Sequence, residues 1–313
     1  MKFNIIKWAK YLQNIVITER KITEFIHAYE YDKYSYKSTK VNLGQIQTAL
    51  HAQKTSFTNL SELEFQVFSQ FGDDGIIQWL IHHLDIENKS FVEFGVERYT
   101  EANTRFLLFN NKWEGLVIDG DEDNIHFIRN NIESAFFNLK SVCSFITKDN
   151  IADLIRSNGF GPDMGLLSID IDGNDYWVWK ALADLHPVIV IVEYNAEFGL
   201  NPWVIPYQAD FVWDKKDAVY YWGTSLQSLC QLGEEKGYSF VGCNSHGNNA
   251  YFIRNDKMKN LKKLSCEEGF VSPKFSLSRK PDLTSFSTEE KRQQLVGKEV
   301  FNTVTGQMET IVA

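Results

Sequence analysis

From about residue 63 the apolar positions switch period repeatedly, and the alternation predicts a fold. "FGDDGIIQWLIHHL" sets apolar residues at helical spacing behind Asp73 and Asp74, the candidate N-cap groups. "SFVEFGV" is a short β-rich run, and "TEANTRFLLFN" reads as a helix. "WEGLVIDGD" predicts a second strand and "DNIHFIRNNIES" a second helix. "LKSVCSFIT" predicts a third strand, with a helix over about 150–157 after it. "MGLLSIDID" and "PVIVIVEYN" complete five strands, separated by the helix "DYWVWKALADL". Strands so apolar are buried on both faces, so the pattern predicts a mostly parallel sheet with helices on each side. "GYSFVGCN" and "NAYFIRN" predict a late antiparallel hairpin turning near "SHGN".

Outside this block the pattern is weaker. Residues 3–17 carry Ile5, Trp8, Leu12, Ile15 and Val16 at helical spacing among lysines. That helix either packs on protein or lies on a membrane surface through residues 2–17. "SPKFSLSRKPDLTSFSTEEKR" is polar and reads as loop, and "VFNTVTGQMETIV" as a terminal hairpin. The expected organisation is an N-terminal helical extension (1–62), an α/β domain (63–257) and a C-terminal appendage (258–313).

Composition narrows the class. With 313 residues, 43% of them hydrophobic, the chain can bury a large core. A net charge of -9 without a basic block argues against nucleic acid as partner. Cys143, Cys230, Cys243 and Cys266 form no CxxC pair, which suits a reducing cytoplasm and not a zinc knuckle. No apolar run reaches transmembrane length. The expected location is cytoplasmic, with contact to the inner membrane face if residues 2–17 provide it.

Ligands of open α/β sheets bind beyond the carboxyl ends of the strands. Five predicted strands deliver acids there: Glu93, Asp119 with Gly120 and Asp121, Asp149, Asp170 with Asp172, and Glu193 with Asn195. The turn after the first strand, "FGVERYTEAN", has one glycine, Gly95, and no GxGxxG, so a pyrophosphate is disfavoured. A cationic nucleoside fits an acidic rim better, and S-adenosylmethionine is one.

The ordered set "FSQFGDDGII", "FVEFGV", "NTRFLL", "WEGLVIDGD", "LLSIDIDGNDYW", "VIVIVEYN" and "SLQSLCQLGEEKGYSFVGCNSHGNNAYFIRND" resembles FkbM-type S-adenosylmethionine-dependent methyltransferases. It resembles especially a relative often found beside surface-polysaccharide genes, over about residues 63–255. The resemblance implies a Rossmann-like class I methyltransferase fold, α/β with a late antiparallel hairpin. It also implies that Glu93 and Gly95 form the first cofactor motif and that Asp119, beside Gly120 and Asp121, is the ribose-binding acid. Gln70 and Asp74 match a segment near the methionine end of the cofactor, and Asp170 and Asp172 the motif after the fourth strand. The family's glycine-richer first loop is replaced here by "VERYTEAN".

Methyl transfer to a hydroxyl needs a base or a cation that lowers the hydroxyl pKa. Asp170 and Asp172, two apart on a strand, share a face; with Glu193 and Asn195 they form an oxygen-rich set for Mg²⁺ or another divalent cation. Otherwise one carboxylate caps a helix and another binds the cofactor's amino group. Asp175 is the expected cap of the next helix. His246, in the late turn, is the histidine candidate for a base. The long connection 196–222 carries Phe198, Trp203, Tyr207, Phe211, Trp213, Tyr220, Tyr221 and Trp222. It is either a lid over a sugar, with Asn195, Trp203, Tyr207 and Trp222 as substrate contacts, or an aromatic subcore. The leading expectation is an O-methyltransferase acting on a saccharide or nucleotide-sugar in surface glycan biosynthesis. The alternatives are a methyltransferase of another small metabolite and a non-catalytic scaffold.

Overall fold

The structure is a computed structural model describing residue 21 and residues 37–312, apart from 131–135, 217, 275–276, 279 and 281. The expected helix over 2–17 lies outside the described residues. The chain divides into two compact units, Met1–Ile46 and Gln47–Ala313. In the first, the described residues 37–46 are helical.

The second unit is built on a seven-stranded sheet. Its strands are β1 (Ser90–Phe94), β2 (Glu114–Asp119), β3 (Leu139–Cys143), β4 (Leu166–Ile169), β5 (Ile189–Glu193), β7 (Tyr238–Cys243) and β8 (Asn249–Arg254). Their spatial order is β3-β2-β1-β4-β5-β8-β7. The first five are mutually parallel, and β8 runs antiparallel to both β5 and β7. Helices α1 (Asp73–His83), α2 (Glu122–Asn130), α3 (Ile151–Ser157), α4 (Asp175–Ala181) and α5 (Leu226–Glu235) follow the loops between them. This is the expected α/β architecture, a doubly wound, mostly parallel Rossmann-like sheet with a late antiparallel hairpin.

Strand alternation builds the two layers. Val92, Phe94, Leu116, Ile118, Leu167, Ile169, Val190 and Val192 enter one core. Their neighbours Phe91, Val117, Leu166, Ile189 and Ile191 enter the core on the opposite face. Both sets are fully buried, which is why these strands read as continuous apolar runs.

A second sheet was only half visible in the pattern. The terminal hairpin forms as β9 (Glu299–Asn302) and β10 (Gln307–Thr310). Its partner, β6 (Trp203–Val204), lies in the long connection and pairs antiparallel with β9. The segment expected to be loop contains helix α7 (Thr288–Leu295), preceded by the short α6 (Cys266–Gly269). A reciprocal capping box between Ser287 and Glu290 starts α7. Only Leu295 of that helix is buried, so apolar periodicity had nothing to display.

Candidate functional site

Strand register sets the site. Glu93 lies opposite Val117 and Ser168, and Ser168 opposite Ile191. Two residues further along each chain lies a level row: Asp119, Gly95, Asp170 and Glu193, with Asn249 opposite Glu193. The row lines a cavity of about 740 Å³, within the usual range for small-molecule sites. Gln70, Glu93, Gly120, Asp121, Asp172 and Trp222 also face it.

Gly95 is dictated by close approach. Its φ is +68°, and a Cβ there would lie 1.7 Å from the Asp170 carbonyl oxygen. Beyond it, the glycine-poor loop uses left-handed backbone at Glu97 (φ +47°) and Tyr99 (φ +54°). Each such residue costs about 1–2 kcal/mol, so the surroundings must hold it. Two strand-end acids do so. Asp119 accepts the Glu97 amide through Oδ2 at 2.7 Å. Its Oδ1 takes the Asp121 amide and the Asn124 side chain. Glu93 receives the amides of Asn103 and Thr104 and the hydroxyls of Thr104 and Ser168. Glu93 is therefore saturated within the protein, whereas Asp119 Oδ2 keeps a lone pair for one more donor.

Asp74 does not cap α1. Gly72 is the N-cap, and the Asp74 Oδ2 instead accepts the amides of Val67, Phe68 and Ser69 and the Ser69 hydroxyl. Asp74 does not line the cavity, but it braces the turn that brings Gln70 there. Asp73 is likewise no cap: it is buried and accepts from Tyr251, Asn249 and Asn244.

The turn after β4 departs from expectation in two ways. The strand ends at Ile169, and Asp172 takes a left-handed φ of +56°, so Asp170 and Asp172 meet through the turn and not through strand alternation. Asp175 reaches backward, accepting the Ile171 and Gly173 amides at 2.9 Å each, and does not cap α4. Ligand oxygens of Asp170, Asp172 and Glu193 all lie within 4.8 Å of one another. Burial lifts Asp170 well above the usual carboxylate range, and the negative charges of Asp172 and Asp175 add to it. Burial lifts Glu193 too, with Asp170 as its first charged neighbour. The two acids therefore titrate as a coupled pair.

Several expected residues stay outside. Asn195 donates its amide hydrogens to the Tyr220 and Trp222 carbonyls, its Oδ1 accepts the Glu197 amide, and the residue does not line the cavity. Asp149 is exposed and pairs with Lys148. Asp121 lines the cavity but spends one oxygen capping α2 through the Asp123 and Asn124 amides. His246 sits in the β7–β8 turn, stacked on Phe71 at 4.0 Å, and is not in the cavity wall.

The long connection divides between its two readings. Phe198 and Tyr220 join Leu295, Val300 and Ile311 in a third core. Trp203 bonds Glu309, and Tyr207 packs edge-on against Trp177; neither lines the cavity. Phe211, Trp213, Lys215 and Trp222 do line it. Sequence reasoning did not select the first three of these as contacts. The available signal was Gly173, whose missing side chain leaves room for Phe211: a Cβ would lie 2.3 Å from that ring. Lys215 adds an ion pair to Asp172 at 3.4 Å. Asn249, in the level row, was also missed, because its role depends on the antiparallel pairing of β8.

These buried acids predict an unusual pH response. Burial raises Glu93 to about 7 from an ordinary 4.5, and Asp74 and Asp175 to about 6 from 3.8. The folded chain thus holds protons that the unfolded chain has released. Stability from these groups is complete below the unfolded values and is lost as pH rises through 6 to 7. Each contributes on the order of 1 kcal/mol per pH unit in its window. The melting temperature will fall between about pH 5 and pH 8 in calorimetry. A rise over that range would contradict the assigned environments.

No protein-family model and no curated protein matches the chain. Among solved structures it is similar to an S-adenosylmethionine-dependent methyltransferase from Clostridium acetobutylicum ATCC 824, at 12% identity over 58% of this chain and 90% of that one, TM-score 0.38. A SAM-dependent methyltransferase from Aquifex aeolicus is similar at 10% identity over 64% and 94%, TM-score 0.36. The bifunctional kinase-methyltransferase WbdD is similar at 13% identity over 53% of this chain and 34% of its own, TM-score 0.34. At these identities and scores the fold rests on strand order and register, not on the likeness.

Proposed function

We propose that the chain is an S-adenosylmethionine-dependent O-methyltransferase acting on a saccharide or nucleotide-sugar hydroxyl. The observation that carries this reading is the level row of Asp119, Gly95, Asp170 and Glu193 along one cavity. The residues fit the cofactor. Asp119 Oδ2 can accept one ribose hydroxyl, and Ile118, Phe145 and Ile146 offer an apolar wall for a base. Gln70 and the acidic rim suit the amino-acid end and the positive sulfur. When bound, S-adenosylmethionine supplies an already activated methyl group. The chain must orient the acceptor oxygen and take its proton, and the Asp170–Glu193 pair is the group in the cavity suited to that.

A second reading adds a divalent cation held by Asp170, Asp172 and Glu193, favoured by their close oxygens. Calorimetry with S-adenosylmethionine and S-adenosylhomocysteine tests the main reading: both are expected to bind, and binding by neither would remove it. Under turnover, loss of rate with EDTA and recovery with Mg²⁺ would support the cation; indifference to both would remove it.

A further inference from the structure

The cavity wall holds a set of buried polar atoms without protein partners. Asn249, 4% exposed, gives its amide hydrogen to Asp73 at 3.1 Å, which turns its Oδ1, unpartnered, away from that carboxylate. Asn174, also 4% exposed, gives its amide to the Gln208 carbonyl and leaves Oδ1 unpartnered. In both cases the acceptor on the other side fixes which end of the amide is free. Glu193 Oε2 is unpartnered beside Asn249. Two donors complete the set: the indole nitrogens of Trp222, 2% exposed, and Trp213, whose rings lie 5.3 Å apart. All five residues line the one cavity.

Buried polar atoms left unmet are costly, so a ligand that meets them gains both affinity and selectivity. The mixture of types identifies the ligand group. An ammonium only donates and would leave the indoles unmet. A phosphate only accepts and would leave the carbonyls unmet. A hydroxyl does both. Charge adds a second argument against the phosphate. Eight carboxylates and one lysine line the cavity, and that lysine, Lys215, already faces Asp172. A diphosphate would enter against this field with no free cation among the described lining residues.

We propose that this cavity takes a neutral, polyhydroxylated acceptor and rejects nucleoside-diphosphate sugars, with Asn249, Asn174, Glu193, Trp213 and Trp222 meeting its hydroxyls. Asp73 is a positioning residue, since it orients Asn249. The proposal rests on the methyltransferase reading for its catalytic meaning, but its test does not.

The test follows the indole ¹H–¹⁵N signals of the full chain, saturated with S-adenosylhomocysteine, during titration with three probes: methyl glucoside, UDP-glucose and methylammonium. Methyl glucoside is expected to shift the Trp213 and Trp222 signals, and the other two are expected to leave them in place. Trp222→Phe, followed through Trp213, and Asn249→Leu are each expected to weaken the response about tenfold while S-adenosylhomocysteine affinity holds. If Asn249→Leu does not fold, Trp222→Phe carries the comparison. Equal response to UDP-glucose or methylammonium, no response to any probe, or unchanged affinity in the variants would each overturn the proposal. If S-adenosylhomocysteine itself fails to bind, the methyltransferase reading falls, and the same titration without it still decides the hydroxyl site.

Discussion

The double variant Asp170→Asn/Glu193→Gln will transfer methyl groups at least about 100-fold more slowly than the unaltered protein, at saturating cofactor and with any acceptor the protein uses. The pair sits at the centre of the level row, and both side chains face the cavity. Their oxygens are close enough to that of Asp172 for three carboxylates to compete for charge. Burial and mutual repulsion hold protons on the pair, so its ionised fraction limits proton removal from a hydroxyl. The rate should therefore rise with pH until the pair can accept a proton. Each single variant keeps one carboxylate. In Asp170→Asn, Glu193 loses the charge of its nearest acid, its pKa moves down, and the acidic limb of the pH–rate profile moves to lower pH. A purely structural role would change neither the position of that limb nor kcat at saturating substrate. A double variant with an unaltered rate would remove the pair from the chemistry.

Gly95→Ala will cost at least about 2 kcal/mol of stability and will weaken S-adenosylhomocysteine binding. Two independent effects combine. The residue has φ +68°, which an alanine adopts only with strain. Its added methyl would also meet the Asp170 carbonyl oxygen at 1.7 Å, a backbone atom that no rotamer change can move aside. The ends of β1 and β4 would have to part, displacing Asp170 and with it the pairing to Glu193. Gly161→Ala is the control, because a Cβ there meets nothing within 4 Å and its φ is not positive. Denaturant unfolding of both variants checks the difference. Equal midpoints would show that the close approach is not rigid.

The Asp119 and Glu93 contacts give a different account of the acids than the strand-end pattern alone suggests. A glycine-rich loop would reach left-handed backbone without help. This loop carries Glu97 and Tyr99 at such positions and is tied down by Asp119 and Glu93. A large share of the acidic capacity at this edge therefore serves the loop. Asp170, Asp172 and Glu193 keep oxygens to offer a ligand, and Asp119 keeps one lone pair on Oδ2.

The parallel core was legible because it depends on local pattern: strands buried on both faces must be apolar at every position, and the helices between them repeat at helical spacing. The same alternation put Glu93, Asp119, Asp170 and Glu193 at strand ends, which was enough to indicate a site. Helix α7 was missed because one buried leucine makes no periodicity. The fates of individual acids were not legible either. Asp74 and Asp175 look like helix caps in sequence, but loop amides five to seven and two to four residues back claim them. Asn195 stands two residues after Glu193, yet backbone carbonyls from residues 220 and 222 consume its amide. Asn249 becomes part of the site only when β8 pairs antiparallel with β5. Chain order determined which residues reach the carboxyl edge, since a strand's end is a local property. Tertiary structure decided which of them still have a free oxygen or N–H when they arrive, because hydrogen-bond partners come from segments far away in sequence.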